Sequence, residues 1–137
     1  QNRVLVADEF IKGNYITKFP GGGLEIGEGL RDGLAREFLE ELGVRVTVAE
    51  HLYTTDYFVA SAFDSDSQVI CVYYLVQLDD CSSIKSSEQK FNFEVTLGKD
   101  AESFRWVPIE RLKEEEHLNL PTDRSAVVEL LRLHNKF

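Results

Sequence analysis

The chain has 137 residues, 43% of them hydrophobic and 11% aromatic, enough for one compact core and too few for two comfortable ones. Its formal net charge of -9 and pI near 4.8 oppose a nucleic-acid backbone, which is normally held by basic stripes, and no apolar run approaches the roughly 18 residues of a membrane span. Nothing near Gln1 has the layout of a secretory leader, and Cys71 and Cys81 are too isolated for a disulfide framework or a zinc site, so a cytoplasmic protein with reduced thiols and no nucleic-acid or membrane partner is expected. An acidic chain can still bind a phosphorylated small molecule if divalent cations lie between carboxylates and phosphates.

In chain order, "RVLVAD" (3–8) is a short apolar run suited to a buried strand. The loop "FPGGGLEIGEG" (19–29) sets Pro20 before three glycines, a backbone that can turn sharply and approach a ligand closely. A helix is predicted from Leu30 to Leu42, closed by Gly43, followed by an alternating strand "VRVTVA" (44–49). The run "QVICVYYLVQL" (68–78) is apolar enough to predict a central strand. "FNFEVTL" (91–97) alternates like a strand, and "SFRWV" (103–107) is a strand ending at Pro108. "IERLKEEEH" (109–117) suggests a short helix, and a closing helix runs from about Asp123 to His134. Strands interleaved with helices that must cover both sheet faces imply an α/β protein layered α/β/α.

The first helix carries an anomaly. At about 100° per residue, Leu30, Leu34, Phe38 and Leu42 form one apolar arc. Glu37 lands just outside that arc and Glu41 falls within it, between Leu30 and Leu34. Unpaired carboxylates are costly to bury, and ionised groups so close repel one another. Arg36 can pair with Glu40 at i,i+4, but such a pair is worth only about 0.3–0.5 kcal/mol, and one arginine cannot neutralise three carboxylates. A divalent metal is the economical source of the missing charge. Glu28 adds a fourth carboxylate just ahead of the helix, and oxygen ligands without His or Cys favour magnesium, manganese or calcium over zinc.

Gly22, Glu28, Arg36, Glu37, Phe38, Glu40, Glu41, Gly43 and Val44 together satisfy the pattern Gly-x5-Glu-x7-Arg-Glu-U-x-Glu-Glu-x-Gly-U, with U a bulky apolar residue, at every fixed position. That pattern is the Nudix box, and the chain resembles the Nudix hydrolases. The "FPGG" approach, the "FRWVPIERL" segment (104–112) and the closing helix are also similar to the family. The resemblance implies a three-layer α/β/α sandwich with a mixed β-sheet, in a single Nudix domain over 1–137 whose N-terminal strand is incomplete. It implies Mg2+- or Mn2+-dependent hydrolysis of a nucleoside diphosphate linked to another group. It assigns metal binding to Glu37 and Glu41, with Glu40 contributing, and to the carbonyl of Gly21. Glu28, Arg36, Glu40 and Glu41 form the expected catalytic set, with Arg36 orienting a glutamate. The general base differs among members, being a box glutamate or a later carboxylate, here Asp100 or Glu102. Gly33, at a position often occupied by alanine in the family, costs about 1 kcal/mol in a helix interior; close packing against the sheet is the expected reason.

Substrate identity is less determined. The ADP-ribose subgroup's downstream proline is replaced by Val59, the dinucleoside polyphosphate subgroup's tyrosine falls among Ala60, Ser61 and Ala62, and the NADH and coenzyme A signatures are also missing. Nucleoside triphosphates, ADP-ribose and other nucleotide sugars are left. Tyr53, Tyr57, Phe58 and Phe63 are candidates to stack a base, although aromatics in such numbers more often form core. "DSDS" (64–67) is read as a hairpin loop, "KEEEH" (113–117) as a solvated helix face, and His51, His117 and His134 as non-ligands. A Nudix-fold sensor that binds without cleaving is the alternative, disfavoured by the intact box. A homodimer is expected because two-fold pairs are the commonest soluble assemblies.

Overall fold

The computed structural model describes residues 2–62, 64–93 and 101–136. Strand β1 (Arg3–Ile11) turns back into β2 (Asn14–Lys18) through Lys12 and Gly13, both left-handed at φ 50° and 83°, the backbone that a two-residue hairpin of this twist requires. Helix α1 (Leu30–Leu42) follows, then β3 (Val46–Thr54), β4 (Val72–Leu78), β5 (Ala101–Pro108) and α2 (Pro121–His134). Gly43 closes α1 in the left-handed conformation, φ 66°, its N–H donating to the Leu39 carbonyl.

Strand β1 lies between β2 and β5 in a three-stranded antiparallel sheet, and β3 pairs with β4 in a second, two-stranded one. The alternation of β1 divides the core. Leu5 and Ala7 join Phe38, Val44, Ile84 and Phe104, with Leu34 and Leu42 of α1 packed against them. Val6, from the opposite face, joins Val107, Leu112, Leu118 and Val127, with Leu130 and Leu131 of α2 alongside. Helices therefore cover opposite faces of the sheet, which is the α/β/α layering predicted. The described ladders are all antiparallel. No helix among the described residues is long and apolar enough to cross a membrane.

Several expectations are corrected. The central strand is β1; β4 pairs only with β3 among the described residues, and its side chains are half-buried. Its aromatic content serves contacts such as Tyr73 with Phe19 and Tyr53, not burial on both faces. Phe91 takes a left-handed φ of 52° and residues 91–93 are irregular, so that part of the expected 91–97 strand is absent; residues 94–97 lie outside the described ones, as do Phe63 and Asp100. The expected short helix is a 3-10 segment, Ile109–Glu114. Just beyond it, Glu115 is buried where a solvated face was expected. The reason is electrostatic: Arg105 donates both to Glu115 (2.7 Å) and to the fully buried Asp8 (2.9 and 3.0 Å), which also accepts from Thr17 and the Phe91 N–H. Burial alone would raise the Asp8 pKa, but these donors outweigh it and hold it below the usual carboxylate range.

Candidate active site

The carboxylates of residues 28–41 fall into two groups that share Glu37. Arg36 gathers the first. Its Nε and Nη2 donate to the two oxygens of Glu28 at 2.9 and 2.7 Å, while Nη1 donates to Glu37 at 2.8 Å and to Glu40 at 3.0 Å. Nη2 also donates to the Gly23 carbonyl at 3.0 Å, so the guanidinium ties the glycine loop to the helix. Glu28 additionally accepts from the Glu25 N–H at 2.9 Å. Those hydrogen bonds, Arg36 first, pull the Glu28 pKa down to about 2. Glu28 is thus a fixed anion with both oxygens engaged. Gly33 is under it: a Cβ there would stand 2.9 Å from Glu28 Oε1 and from Leu24 Cδ1. The glycine therefore makes room for the loop, not for the sheet as expected.

The second group forms where α1 meets the sheet. Burial and then the neighbouring Glu37 push the Glu41 pKa up to about 7. Glu9 and Glu102 are direct partners across the β1–β5 ladder. Burial, followed by Glu41 and Glu9, raises Glu102 to about 7 as well. Four carboxylates from one helix and two strands thus repel one another across a single junction. The cation beside them is Lys18 of β2, whose Nζ is 3.1 Å from Glu9 Oε2. That buried oxygen has ion-pair proximity but no hydrogen-bond partner among the described residues.

The Gly21 φ of 151° and the absence of a side chain at Gly22 bring the loop against this junction; a Cβ at Gly22 would overlap the Glu37 carboxyl, with Oε1 only 2.6 Å away. Glu40 leans outward, its side chain 58% exposed, in the i,i+4 pair with Arg36 that the spacing predicted. Leu30 is 44% exposed, so the arc that faces the core is Leu34, Phe38 and Leu42. Glu41 consequently lies at the rim of the core and is exposed to solvent.

Sequence reasoning brought Glu37, Glu41 and Glu102 forward and missed Glu9 and Lys18. Strand alternation carried the missing signal: Glu9 is on the face of Leu5 and Ala7, where a charge needs a reason, and the Lys12–Gly13 turn sets Lys18 opposite Ala7 on that same face. Among the expected stacking residues, Tyr57 donates toward the Pro121 carbonyl and shares a 3.0 Å hydrogen bond with Ser125, Tyr53 packs against Tyr73, and Phe58 is 74% exposed. Beyond Lys18, Asp123 is 5% exposed and accepts from Tyr73 at 2.6 Å; burial raises its pKa.

Among the described residues no three Asp, Glu, His or Cys side chains converge tightly enough to hold an ion as they stand. The chemistry of the donors nevertheless fits a hard cation: every one is an oxygen, two of the carboxyls are driven toward neutrality by burial and then by like charge, and one buried oxygen lacks a hydrogen bond among the described residues.

Comparison with known proteins agrees with the fold. The chain superimposes on a Nudix hydrolase from Nitrosomonas europaea with a TM-score of 0.68 at 17% identity, over 96% of this chain and 82% of that one. It superimposes on the E. coli ORF135 protein with a TM-score of 0.65 at 19% identity, over 98% and 83% of the two chains. These likenesses establish a shared fold. No functionally curated protein shows significant sequence similarity to it. The family model of the Nudix domain matches residues 1–130, nearly the whole chain, which therefore belongs to the Nudix family.

Proposed function

We propose that this Nudix domain is a metal-dependent pyrophosphohydrolase, acting on a nucleoside diphosphate linked to another group: a nucleoside triphosphate, ADP-ribose or another nucleotide sugar. The observation that carries the reading is the junction of Glu37, Glu41, Glu9 and Glu102, whose charge exceeds what Lys18 and the shared contact of Arg36 with Glu37 can balance. In this reading Glu37 and Glu41, with Glu40 and the Gly21 carbonyl, hold Mg2+ or Mn2+. The bound cation would supply charge neutralisation at the phosphates and a lowered pKa for water.

The chain's own groups have separable tasks. Arg36 and Glu28 position: the two bonds between them and the bond to Glu37 fix the rotamer of that glutamate against the glycine loop. Glu102 is the proposed general base, its carboxylate taking the proton of the attacking water. A carboxyl that burial and its acidic neighbours hold near neutrality, directly opposite Glu9 in the β1–β5 ladder, is suited to that transfer.

The test is formation of nucleotide cleavage products, resolved by chromatography, from nucleoside triphosphates, ADP-ribose, nucleotide sugars and dinucleoside polyphosphates, with Mg2+, with Mn2+ and with a chelator. Turnover of at least one of the first three classes is expected with metal, and none with chelator. Undiminished turnover in metal-free buffer, or no turnover of any compound despite measurable nucleotide binding, refutes the proposal.

A further inference from the structure

We infer that Lys18 is the resident counter-cation of the carboxylate junction: without metal its ammonium balances Glu9, Glu41 and Glu102, and a divalent cation must displace it to bind. The inference rests on the proposed metal-binding reading and adds a residue outside the Nudix box that sets the affinity of the site. Its first support is position. The β1–β2 register places Lys18 opposite Ala7, on the face that α1 covers, diagonal to Glu9, and its Nζ is 3.1 Å from Glu9 Oε2. A lysine in the last position of a strand could extend into water; this side chain is only 32% exposed and points inward to acid.

Its second support is charge balance. Burial by itself would lower the Lys18 pKa, yet Glu9 and, after it, Glu41 and Glu102 reverse that effect and hold the ammonium charged. Arg36 cannot serve instead, because its donors are taken by Glu28, Glu37, Glu40 and the Gly23 carbonyl. A monovalent charge already inside the junction raises the energy of an arriving divalent ion. The same charge keeps the empty junction from repelling itself apart. Displaced, the ammonium has another acid to turn to: the buried Asp123 already feels its charge.

The experiment measures Mn2+ affinity directly, by calorimetry or electron paramagnetic resonance without substrate, in the wild-type protein and in Lys18→Met, Lys18→Gln and Lys18→Arg. The exposed Lys85→Met controls for net charge. Both neutral Lys18 variants should bind Mn2+ roughly tenfold more tightly, the effect of one partly screened unit charge a few ångströms away. Both should melt at lower temperature in chelator, while Lys18→Arg and Lys85→Met retain the wild-type dissociation constant. Should neither neutral variant fold, the wild-type protein suffices: Mg2+ should move the ammonium nitrogen resonance of Lys18 from a protected to a freely exchanging state. Equal or weaker Mn2+ binding in a folded neutral variant, or an ammonium signal indifferent to Mg2+, overturns the inference. Wild-type protein that binds no Mn2+ removes the metal-binding reading and this one with it.

Discussion

Glu41 is caught between two demands, a place at the rim of the core and a charge that its surroundings oppose. Burial and the adjacent Glu37 lift its pKa from 4.5 to about 7. In the metal-free protein the folded state therefore keeps a proton that the unfolded chain has already released between those two values. Stability must fall as pH rises through that window, because there the native state binds more protons than the unfolded one. Glu41→Gln keeps the shape and removes the conflict. In chelator the variant should melt no lower than the wild type at pH 8, and its melting temperature should decline less between pH 5 and pH 8, Glu102 retaining its own share of the slope. Its metal-supported turnover should drop by several powers of ten, by analogy with other groups that act directly on a reaction. An active variant of lower stability would make this glutamate part of the scaffold, and the metal-site reading would have to be given up. The sequence already carried this conflict, since placing Glu41 beside Leu34 on a helical wheel needs only the 3.6-residue period. Its resolution by Lys18 was hidden, because no local pattern shows which strand residue a helix will meet.

The loop and helix of the Nudix box behave as one element, joined by Arg36. Leu30–Leu42 and the Gly43 cap were legible to the residue, because amphipathic spacing, a terminating glycine and the box all agree. The direction in which Gly33 packs was not, because a small residue marks a close approach without naming the neighbour. Alanine there would ordinarily stabilise the helix by about 1 kcal/mol. Its Cβ would meet Leu24 and Glu28 at 2.9 Å. Leu24 is 55% exposed and can swing away, whereas Glu28 is fixed by two bonds to Arg36. Gly33→Ala should therefore fail to raise the melting temperature and should reduce turnover at saturating Mg2+, as Glu28 shifts and Arg36 loosens its hold on Glu37. A more stable, fully active variant would show that Glu28 has slack and that the clamp does not position the site.

At the scale of the molecule, β1 is the member shared by everything else. Its alternate residues enter two hydrophobic clusters, one closed by α1 and one by α2, and its acidic residues divide in the same way. Asp8 joins Arg105 on the α2 side, while Glu9 faces the carboxylate junction. The three layers could be anticipated from alternating strands and helices, but the centrality of β1 could not. The run at 68–78 is longer and more apolar, and hydrophobicity ranks strands by composition, whereas position in a sheet is fixed by which chains pair on both edges. A shared strand has a thermodynamic consequence: neither helix can leave without exposing one face of β1, so the two clusters should not melt separately. Leu112, fully buried in the α2-side cluster, and Trp106, the single tryptophan, packed against the α1-side cluster, allow this to be tested. Leu112→Ala should cost about 2–5 kcal/mol, the range for deleting a buried leucine side chain. In urea, the Trp106 fluorescence midpoint should fall together with the far-UV circular dichroism midpoint, with an unchanged slope. Were the fluorescence transition to keep its wild-type midpoint while circular dichroism shifted, the two clusters would be independent. Strand β1 would then be two half-strands in energetic terms, and the electrostatics of Asp8 and Glu9 would have to be treated as belonging to separate units.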